Sequence, residues 1–412
     1  MRMDHLSPAI SRFAPSSDEA RGPDRKNRAC RGEDSQPDCQ IRTGGHIPKL
    51  DSLRGVAILL VVTYHAYGGS IDYRNWSGLP RYFLYVSRYG YTGVELFFVL
   101  SGFLITNILL STKHDTDFYE KFYKRRALRI LPAYLAMLII VKIWLGVTWK
   151  YILACLLYIA NMAGIVGART SEYAPLWSLA VEEQFYLLWP FCVRRLSPRT
   201  LLRLAIGICL SMPVLRLTAA TISPRIDIRY KTYFIADYLA YGAMIAIAIH
   251  LGSIHAGNIR RIAQWFMAAG SLVATIVLYA GYESNHFARL ELLVRSMSVL
   301  PFVWIYCGLV LRAIDSYDSG NLQSNKLLEF FGYISYGLYL VHEFIFYEYG
   351  KMVNGTRLAA MNTSFAIATI RYVVAGGIAI LLAYLSRRFY EEYFLRMGRR
   401  KKEVALRASP IH

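Results

Sequence analysis

The sequence contains little charge, and most of that charge is positive. Only 18% of its 412 residues are charged and 55% are hydrophobic, a balance too apolar for an ordinary soluble protein and typical of a polytopic membrane protein. Asp and Glu number 28 against 47 Lys and Arg, so the net charge is +19. In a soluble protein this excess would suggest nucleic-acid binding. Here the cations cluster in short loops between apolar runs, where we expect them to face the cytoplasm and anionic lipid rather than nucleic acid.

The cysteines and the N-terminal segment also lack recognisable patterns. The six cysteines show neither metal-ligand spacing nor a disulfide framework, so we expect unpaired thiols and no metal site. Residues 1–45 lack the apolar core and the small-residue cleavage site of a secretory signal. The sequence predicts a disordered cytoplasmic tail over 1–45, a membrane domain over 46–395 and a basic cytoplasmic tail over 396–412.

Eleven apolar runs follow the N-terminal tail. Most of them could cross the roughly 30 Å hydrocarbon layer with about 20 residues each. Because an unpaired backbone group in lipid is costly, each run is predicted to be helical. The runs are 50–68, 92–111, 130–147, 150–165, 177–193, 201–219, 233–251, 263–282, 292–312, 330–349 and 364–386.

Two basic loops limit how many of these runs cross the membrane. The loops over 113–129 and 194–203 are both expected in the cytoplasm, which requires an even number of crossings between them. Three runs lie between the loops, and 150–165 is the shortest, so we interpret it as re-entrant or partly embedded. The prediction is an all-α bundle of about ten transmembrane helices with both termini in the cytoplasm.

The first run reads LDSLRGVAILLVVTYHAY and carries Arg54 and His65 at opposite ends. Eleven residues at 100° each exceed three turns by about 20°, so both side chains leave nearly the same face, roughly 16 Å apart. Arg54 is then expected near the inner surface and His65 near the outer surface. Arg54 could instead be an anchor paired with Asp51, and His65 could contact the outer headgroups.

The segment over 122–134 reads FYKRRALRILPAY. Arg126 and Arg129 lie one turn apart at the expected cytoplasmic start of a helix, where two planar cations could hold phosphate oxygens. Basic residues at this position also serve as topology signals, so that interpretation stays open.

The segment over 174–190 reads APLWSLAVEEQFYLLWP and places two adjacent carboxylates in a membrane helix. Glu182 shares a face with Ser178 and Tyr186, and Glu183 points about 100° away. Since this helix should start outside, Glu182 is expected in the outer half with His65, where a carboxylate could orient an imidazole base. A structural hydrogen bond to a neighbouring helix is the alternative.

Further polar residues lie in other apolar runs. His342 is expected in the outer half, and a packing role for it is as plausible as a functional one. Glu95 is expected in the outer half, and Asp237 lies in another run. Ser101 and Gly102 form a small-residue pair that would let two helices approach closely.

These segments together resemble the membrane-bound acyltransferase-3 family. The matching features are R-x10-H in the first run, R-x-x-R in FYKRRALRILPAY, and the segments GVELFFVLSGFLIT, LWSLAVEEQFYLLWP, ISYGLYLVHEFIF and SRRFYEEYFL. They occur in the order of the family over residues 50–395. The resemblance implies an integral membrane enzyme that moves acyl groups, commonly acetyl from acetyl-CoA, to hydroxyls of extracytoplasmic sugars or of small molecules such as macrolides.

The resemblance also implies roles for individual residues. Arg54 and His65 would form the signature pair, with His65 near the chemistry, and Arg126 and Arg129 would lie near the acyl-CoA. Glu182 and Glu183 fall on the tryptophan-serine-carboxylate motif of the family, and Glu391 matches its terminal glutamate. The arginine expected two residues before Asp237 is replaced by Ile235, and the proline expected after the last glutamate is replaced by Tyr393. No soluble esterase-like domain follows, so a single-domain member of a bacterial inner membrane is expected.

The hypothesis from the sequence is an acyl transfer across the bundle. Acyl-CoA would dock at the cytoplasmic face with its phosphates on Arg54, Arg126 and Arg129. Its arm would bring the thioester to His65, which, oriented by a carboxylate such as Glu182, would deprotonate an acceptor hydroxyl. A covalent acyl-histidine is a second route. A transporter would also use intramembrane charge, although the sequence lacks internal repeats and paired broken helices, and a non-catalytic acyl sensor is a third class.

Overall fold

The computed structural model describes residues 41, 45–69, 71–223, 228–283, 296–354 and 365–397. Within these ranges the chain forms helices and no β-strand. Most of both predicted tails, and the start of the predicted run 292–312, lie outside the described residues. The α-helices are α1 (Pro48–Thr63), α2 (Gly78–Ser87), α3 (Gly93–Ser111), α4 (Phe118–Leu145), α5 (Trp149–Leu156), α6 (Leu176–Arg195), α7 (Pro198–Ile222), α8 (Thr232–His250), α9 (Ile259–Glu283), α10 (Leu300–Asp318), α11 (Lys326–Asn354) and α12 (Phe365–Leu385).

Most of the long helices have the length and composition of membrane spans. Seven stretches of the described chain meet both conditions: Gly78–Ser111, Phe118–Leu145, Pro198–Ile222, Thr232–His250, Ile259–Ala280, Leu300–Asp318 and Phe365–Met397. Helices α1, α6 and α11 do not, because α1 has only 16 residues and polar residues interrupt the other two. These three helices carry Arg54, Glu182 and His342 of the site described below. The all-α polytopic bundle expected from the sequence is confirmed.

The run over 150–165 does not form a membrane-crossing helix. It contains α5, whose eight residues are about 12 Å long, and then a 3-10 helix over Ala160–Val166. The backbone N–H of Thr148, before α5, donates to Glu172 Oε2 at 2.7 Å, so the segment returns to the level at which it began. The segment is therefore not a spanning helix, and its re-entrant or partly embedded position in the membrane stays a prediction.

The two basic loops meet at one end of the bundle, which we call the basic face. Lys113 Nζ, after α3, donates to the carbonyl of Leu196, after α6, at 2.6 Å. Arg194 also donates to the carbonyl of Asp115 at 3.3 Å. Contact between the loops places the ends of α3 and α6 and the start of α4 on the same side, as the even number of crossings required.

Close glycine contacts bring together the helix pairs that build the site. Gly102 of α3 packs against the carbonyl of Leu239 in α8, which confirms the small-residue approach expected at this position. Helices α1 and α11 pack in the same way, since Gly55 contacts the carbonyl of Leu328 and Gly332 contacts that of Asp51. Only residues without a Cβ permit such backbone approach. Helices α4, α7, α9 and α12 expose large apolar side chains around this centre.

Candidate active site

Two neighbouring cavities lie in the bundle and share part of their lining. The first, which we call the arginine cavity, is lined by Arg54, Arg126 and Arg129 together with residues of α3, α6 and α11. The second, the histidine cavity, is lined by His65 and by residues that range in sequence from Val61 to Arg371. Val94 and Tyr339 line both. The cavities are therefore neighbours on either side of these two side chains, and their linings differ in chemistry.

The arginine cavity is narrow and cationic, with a volume of about 90 Å³. Arg129 stays exposed while lining it and makes no hydrogen bond or ion pair with the described residues. The Arg126 guanidinium lies over the Tyr186 ring, 4.8 Å from its centroid. Arg54 lines the same cavity and forms an ion pair with Asp51 at 2.6 Å. Arg54 therefore makes the ion pair considered from the sequence and is also part of the site. Guanidinium groups in this arrangement can bind phosphate oxygens.

The histidine cavity is much larger, about 1010 Å³, and its wall is rich in aromatic rings. Its aromatic lining residues are Tyr64, Tyr73, Tyr85, Tyr89, Tyr91, Trp177, Tyr230, Tyr238, Tyr339, Phe346 and Tyr347. Aromatic faces combined with hydroxyls can pack against an amphipathic ring and also bond its polar edge. This volume and chemistry suit a hydroxylated acceptor.

His65 lies in a π-helical turn, Tyr64–Gly68, that continues α1. Such turns widen the helix and recur at functional sites. The Nδ1 atom of His65 lies 2.9 Å from the carbonyl of Val61 and 3.3 Å from Nε2 of His342. Nδ1 of His342 lies 2.8 Å from the carbonyl of Tyr339. In the neutral pair each Nδ1 must then carry the hydrogen, which leaves the lone pair of His65 on Nε2.

Glu182 does not lie where the sequence placed it. We expected it beside His65, but it lines the arginine cavity, where its Oε1 accepts a hydrogen bond from Ser101 at 2.8 Å. The reason is the depth at which α6 begins. Pro175 and Trp177 line the histidine cavity, so α6 starts at its floor and Glu182 lies one further turn down, toward the basic face. Glu183 lines neither cavity.

Two glutamates, Glu95 and Glu343, line the histidine cavity together with His65. Each has a buried Oε2 without a hydrogen-bond partner among the described residues. Glu95 was expected in the outer half of the bundle. Sequence reasoning missed Glu343, although its position directly after His342 in a membrane helix was the available signal.

Asp237 is neutralised by a residue that the sequence did not suggest. Arg216 of α7 binds it through two hydrogen bonds of 2.8 Å, and both side chains are buried. The arginine expected at position 235 is a buried Ile235, so the cation comes from the preceding helix. Arg216 also lines the histidine cavity, and this bidentate pair fixes its wall.

Glu391 lies in the π-helical turn Ser386–Glu391 that continues α12 and is buried. Its Oε2 accepts from Arg387 at 3.4 Å and its Oε1 from Ser386 at 3.3 Å. Tyr393, which stands where the resemblance implied a proline, is exposed. Among the described residues no group of three or more His, Cys, Asp and Glu forms a metal site.

Comparison with known proteins identifies the family. The acyltransferase domain family matches residues 47–388. The chain belongs to this family. The resemblance seen in the sequence motifs is thus confirmed over most of the acyltransferase chain, whose apolar helices make it an integral membrane protein. No solved structure matched it.

Two curated relatives of this acyltransferase are O-acetyltransferases by name, and the name of one of them includes peptidoglycan. It is 30% identical over 327 residues to peptidoglycan O-acetyltransferase OatA of Listeria monocytogenes, covering 72% of this chain and 49% of that protein. It is 32% identical over 181 residues to O-acetyltransferase OatA of Staphylococcus aureus, covering 38% of this chain and 27% of that protein. The chain thus spans half or less of the length of these relatives.

Proposed function

We propose that the protein is a membrane O-acetyltransferase that moves acetyl from acetyl-CoA to a hydroxyl of an extracytoplasmic cell-wall carbohydrate. The observation that carries this proposal is that two cavities share part of their lining. One is lined by an arginine without a partner among the described residues, and the other by a histidine base. The names of the relatives favour acetyl as the acyl group and a peptidoglycan-type glycan as the acceptor.

The donor binds at the basic face, which the excess of Lys and Arg in its loops assigns to the cytoplasm. Both termini and the acetyl-CoA then lie on that side of a bacterial inner membrane. The three arginines of the cavity hold the phosphates of the CoA. Because the cavity is only about 90 Å³, the arm of CoA enters it and the nucleotide stays outside. The thioester then points toward Val94 and Tyr339.

In the histidine cavity, Nε2 of His65 removes the proton of the acceptor hydroxyl. The hydroxyl oxygen bonds to the thioester carbon, the C–S bond breaks, and the CoA thiolate takes the proton from His65. The products are an acetyl ester and CoA. In a covalent route the same nitrogen would attack the thioester, and labelled protein formed without acceptor would reveal that intermediate.

The aromatic wall of the histidine cavity binds the acceptor, and the bare oxygens of Glu95 and Glu343 accept hydrogen bonds from its hydroxyls. These carboxylates take the place in the acceptor site that the sequence hypothesis gave to Glu182. Glu182 instead holds the polar wall of the donor cavity through Ser101.

The test uses the full chain in nanodiscs with acetyl-CoA labelled in the acetyl group. Soluble peptidoglycan fragments, an unrelated polysaccharide and a macrolide serve as alternative acceptors, and both CoA release and acetyl ester are measured. We expect ester on the peptidoglycan fragments, and we expect His65→Ala to abolish it.

The matched control for His65→Ala is His250→Ala, since His250 ends α8 and is exposed. Normal turnover in His65→Ala, or no ester on any acceptor, would contradict the proposal. Transport of a labelled solute into liposomes without acetyl-CoA consumption would support the transporter class instead.

A further inference from the structure

The two cavities adjoin at two side chains that line both, and we call the point between the cavities the constriction. Among the described residues, Val94 and Tyr339 are the only ones that line both cavities. Val94 is apolar, whereas Tyr339 carries a hydroxyl that can donate a hydrogen bond. Both residues are buried, and the Tyr339 ring packs edge-on against Phe97 with centroids 6.2 Å apart. The constriction therefore holds one side-chain donor in a fixed place.

The thioester carbonyl must lie at this constriction if the proposed function holds, and the present inference rests on it. The donor enters through the arginine cavity, and the base lies in the histidine cavity. The carbonyl carbon must come within bonding distance of a hydroxyl whose proton His65 removes. The point that satisfies both conditions lies between the cavities.

The Tyr339 hydroxyl donates a hydrogen bond to an acceptor whose place a reacting carbonyl oxygen could take. It lies 2.6 Å from Oγ of Ser178. Ser178 donates its own hydrogen to the carbonyl of Pro175 at 3.2 Å, so the hydrogen between the two hydroxyls belongs to Tyr339. Tyr339 also supplies a carbonyl to Nδ1 of His342, so one turn of α11 positions both the phenol and the partner of His65.

We propose that Tyr339 is the oxyanion donor of the acyl transfer. When the acceptor oxygen attacks the thioester carbon, the π electrons of the C=O bond move onto the carbonyl oxygen and make it an oxyanion. The Tyr339 O–H then turns away from Ser178 and donates its hydrogen bond to this oxyanion. The oxyanion electron pair then re-forms the carbonyl as the C–S bond breaks, and Tyr339 keeps its hydrogen throughout. Donors aimed at developing charge in a site of low dielectric act mainly on the transition state.

The experiment compares Tyr339→Phe with Tyr134→Phe in the labelled acetyl-CoA assay. Tyr134 is the matched control, because its buried hydroxyl donates to the carbonyl of Cys155 at 2.9 Å and it lines neither cavity. We expect Tyr339→Phe to lower kcat by about 100-fold to 1000-fold with KM for acetyl-CoA little changed, as loss of an oxyanion donor does. Tyr134→Phe should lower the Tm and keep kcat near that of the wild type.

A kcat for Tyr339→Phe within a few-fold of wild type would overturn the inference while leaving the proposed function intact. Inactive wild-type protein would instead contradict the proposed function. If Tyr339→Phe does not fold, 3-fluorotyrosine at position 339 decides, since this more acidic phenol keeps its shape and hydroxyl. An oxyanion donor predicts a higher kcat at a pH where the phenol stays protonated, and an unchanged kcat would overturn the inference.

Discussion

His65 Nδ1 lies 3.3 Å from His342 Nε2, across the interface between α1 and α11. Each histidine follows by ten positions the glycine through which its helix touches the other, Gly55 or Gly332. Ten residues of helix rise about 15 Å. The glycine contacts near the basic face therefore place the two histidines at the same level along the two helices, so that the rings can meet.

We predict that His342 is a positioning residue for His65. His342→Leu removes one of the two acceptors around the Nδ1 hydrogen and leaves the carbonyl of Val61. The ring of His65 is then held less firmly, and kcat should fall by roughly 10-fold to 100-fold, as for other groups that orient a functional histidine. His342→Gln offers an amide oxygen and should recover part of this loss. The measurement is kcat and KM for both variants. Equal losses in both, accompanied by equal losses of Tm, would indicate a packing role.

We predict that Arg129 binds the donor phosphates. Arg129→Gln should raise KM for acetyl-CoA by about 10-fold to 100-fold, because a charge-assisted hydrogen bond contributes about 1.5–3 kcal/mol. Arg125→Gln is the control, since Arg125 is an exposed residue of the same helix that does not line the cavity. The same rise in KM for both variants would show a general effect of charge at the basic face rather than a binding site.

We predict that Gly55 sets the distance between α1 and α11. In Gly55→Ala the new Cβ would collide with the backbone carbonyl of Leu328, which cannot rotate away. The helices must separate, at a cost of about 1–3 kcal/mol, and the His65–His342 contact should loosen, so both Tm and kcat should fall. Gly377→Ala is the control, because that exposed helical glycine has nothing within 4 Å of a new Cβ. It should be neutral or slightly stabilising. Similar Tm values for the two variants would refute the role of Gly55.

We predict a pH-dependent contribution from His46, which precedes α1. Its Nε2 lies 2.6 Å from Asp51, and this hydrogen bond raises the pKa of His46 above 6.5. A raised pKa in the folded protein means that the ion pair stabilises fully below pH 6.5 and loses its contribution as the pH rises through the raised pKa. The Tm difference between wild type and His46→Ala should therefore shrink from acid to alkaline pH. A difference independent of pH would show that folding does not raise the pKa of His46.

The sequence by itself determined the helical bundle and much of its topology. Unpaired backbone groups are costly in lipid, so apolar runs had to be helices, and the basic loops at 113–129 and 194–203 required an even number of crossings between them. This argument identified 150–165 as a segment that does not cross. The Ser101-Gly102 pair indicated a close helix contact for a reason that is also visible in the sequence. The size of the side chain at a position limits how near a neighbouring helix backbone can come.

Tertiary structure alone decided which polar groups meet. Helical periodicity gives the face of a residue and its distance from the start of its own helix, but not the depth at which that helix begins. Glu182 was misplaced because α6 starts at the floor of the histidine cavity. The partner of His65 lies 277 positions away, on a helix whose height is set by packing. Tyr339 acquires its place between the cavities in the same way, because only the packed helices define where two cavities meet.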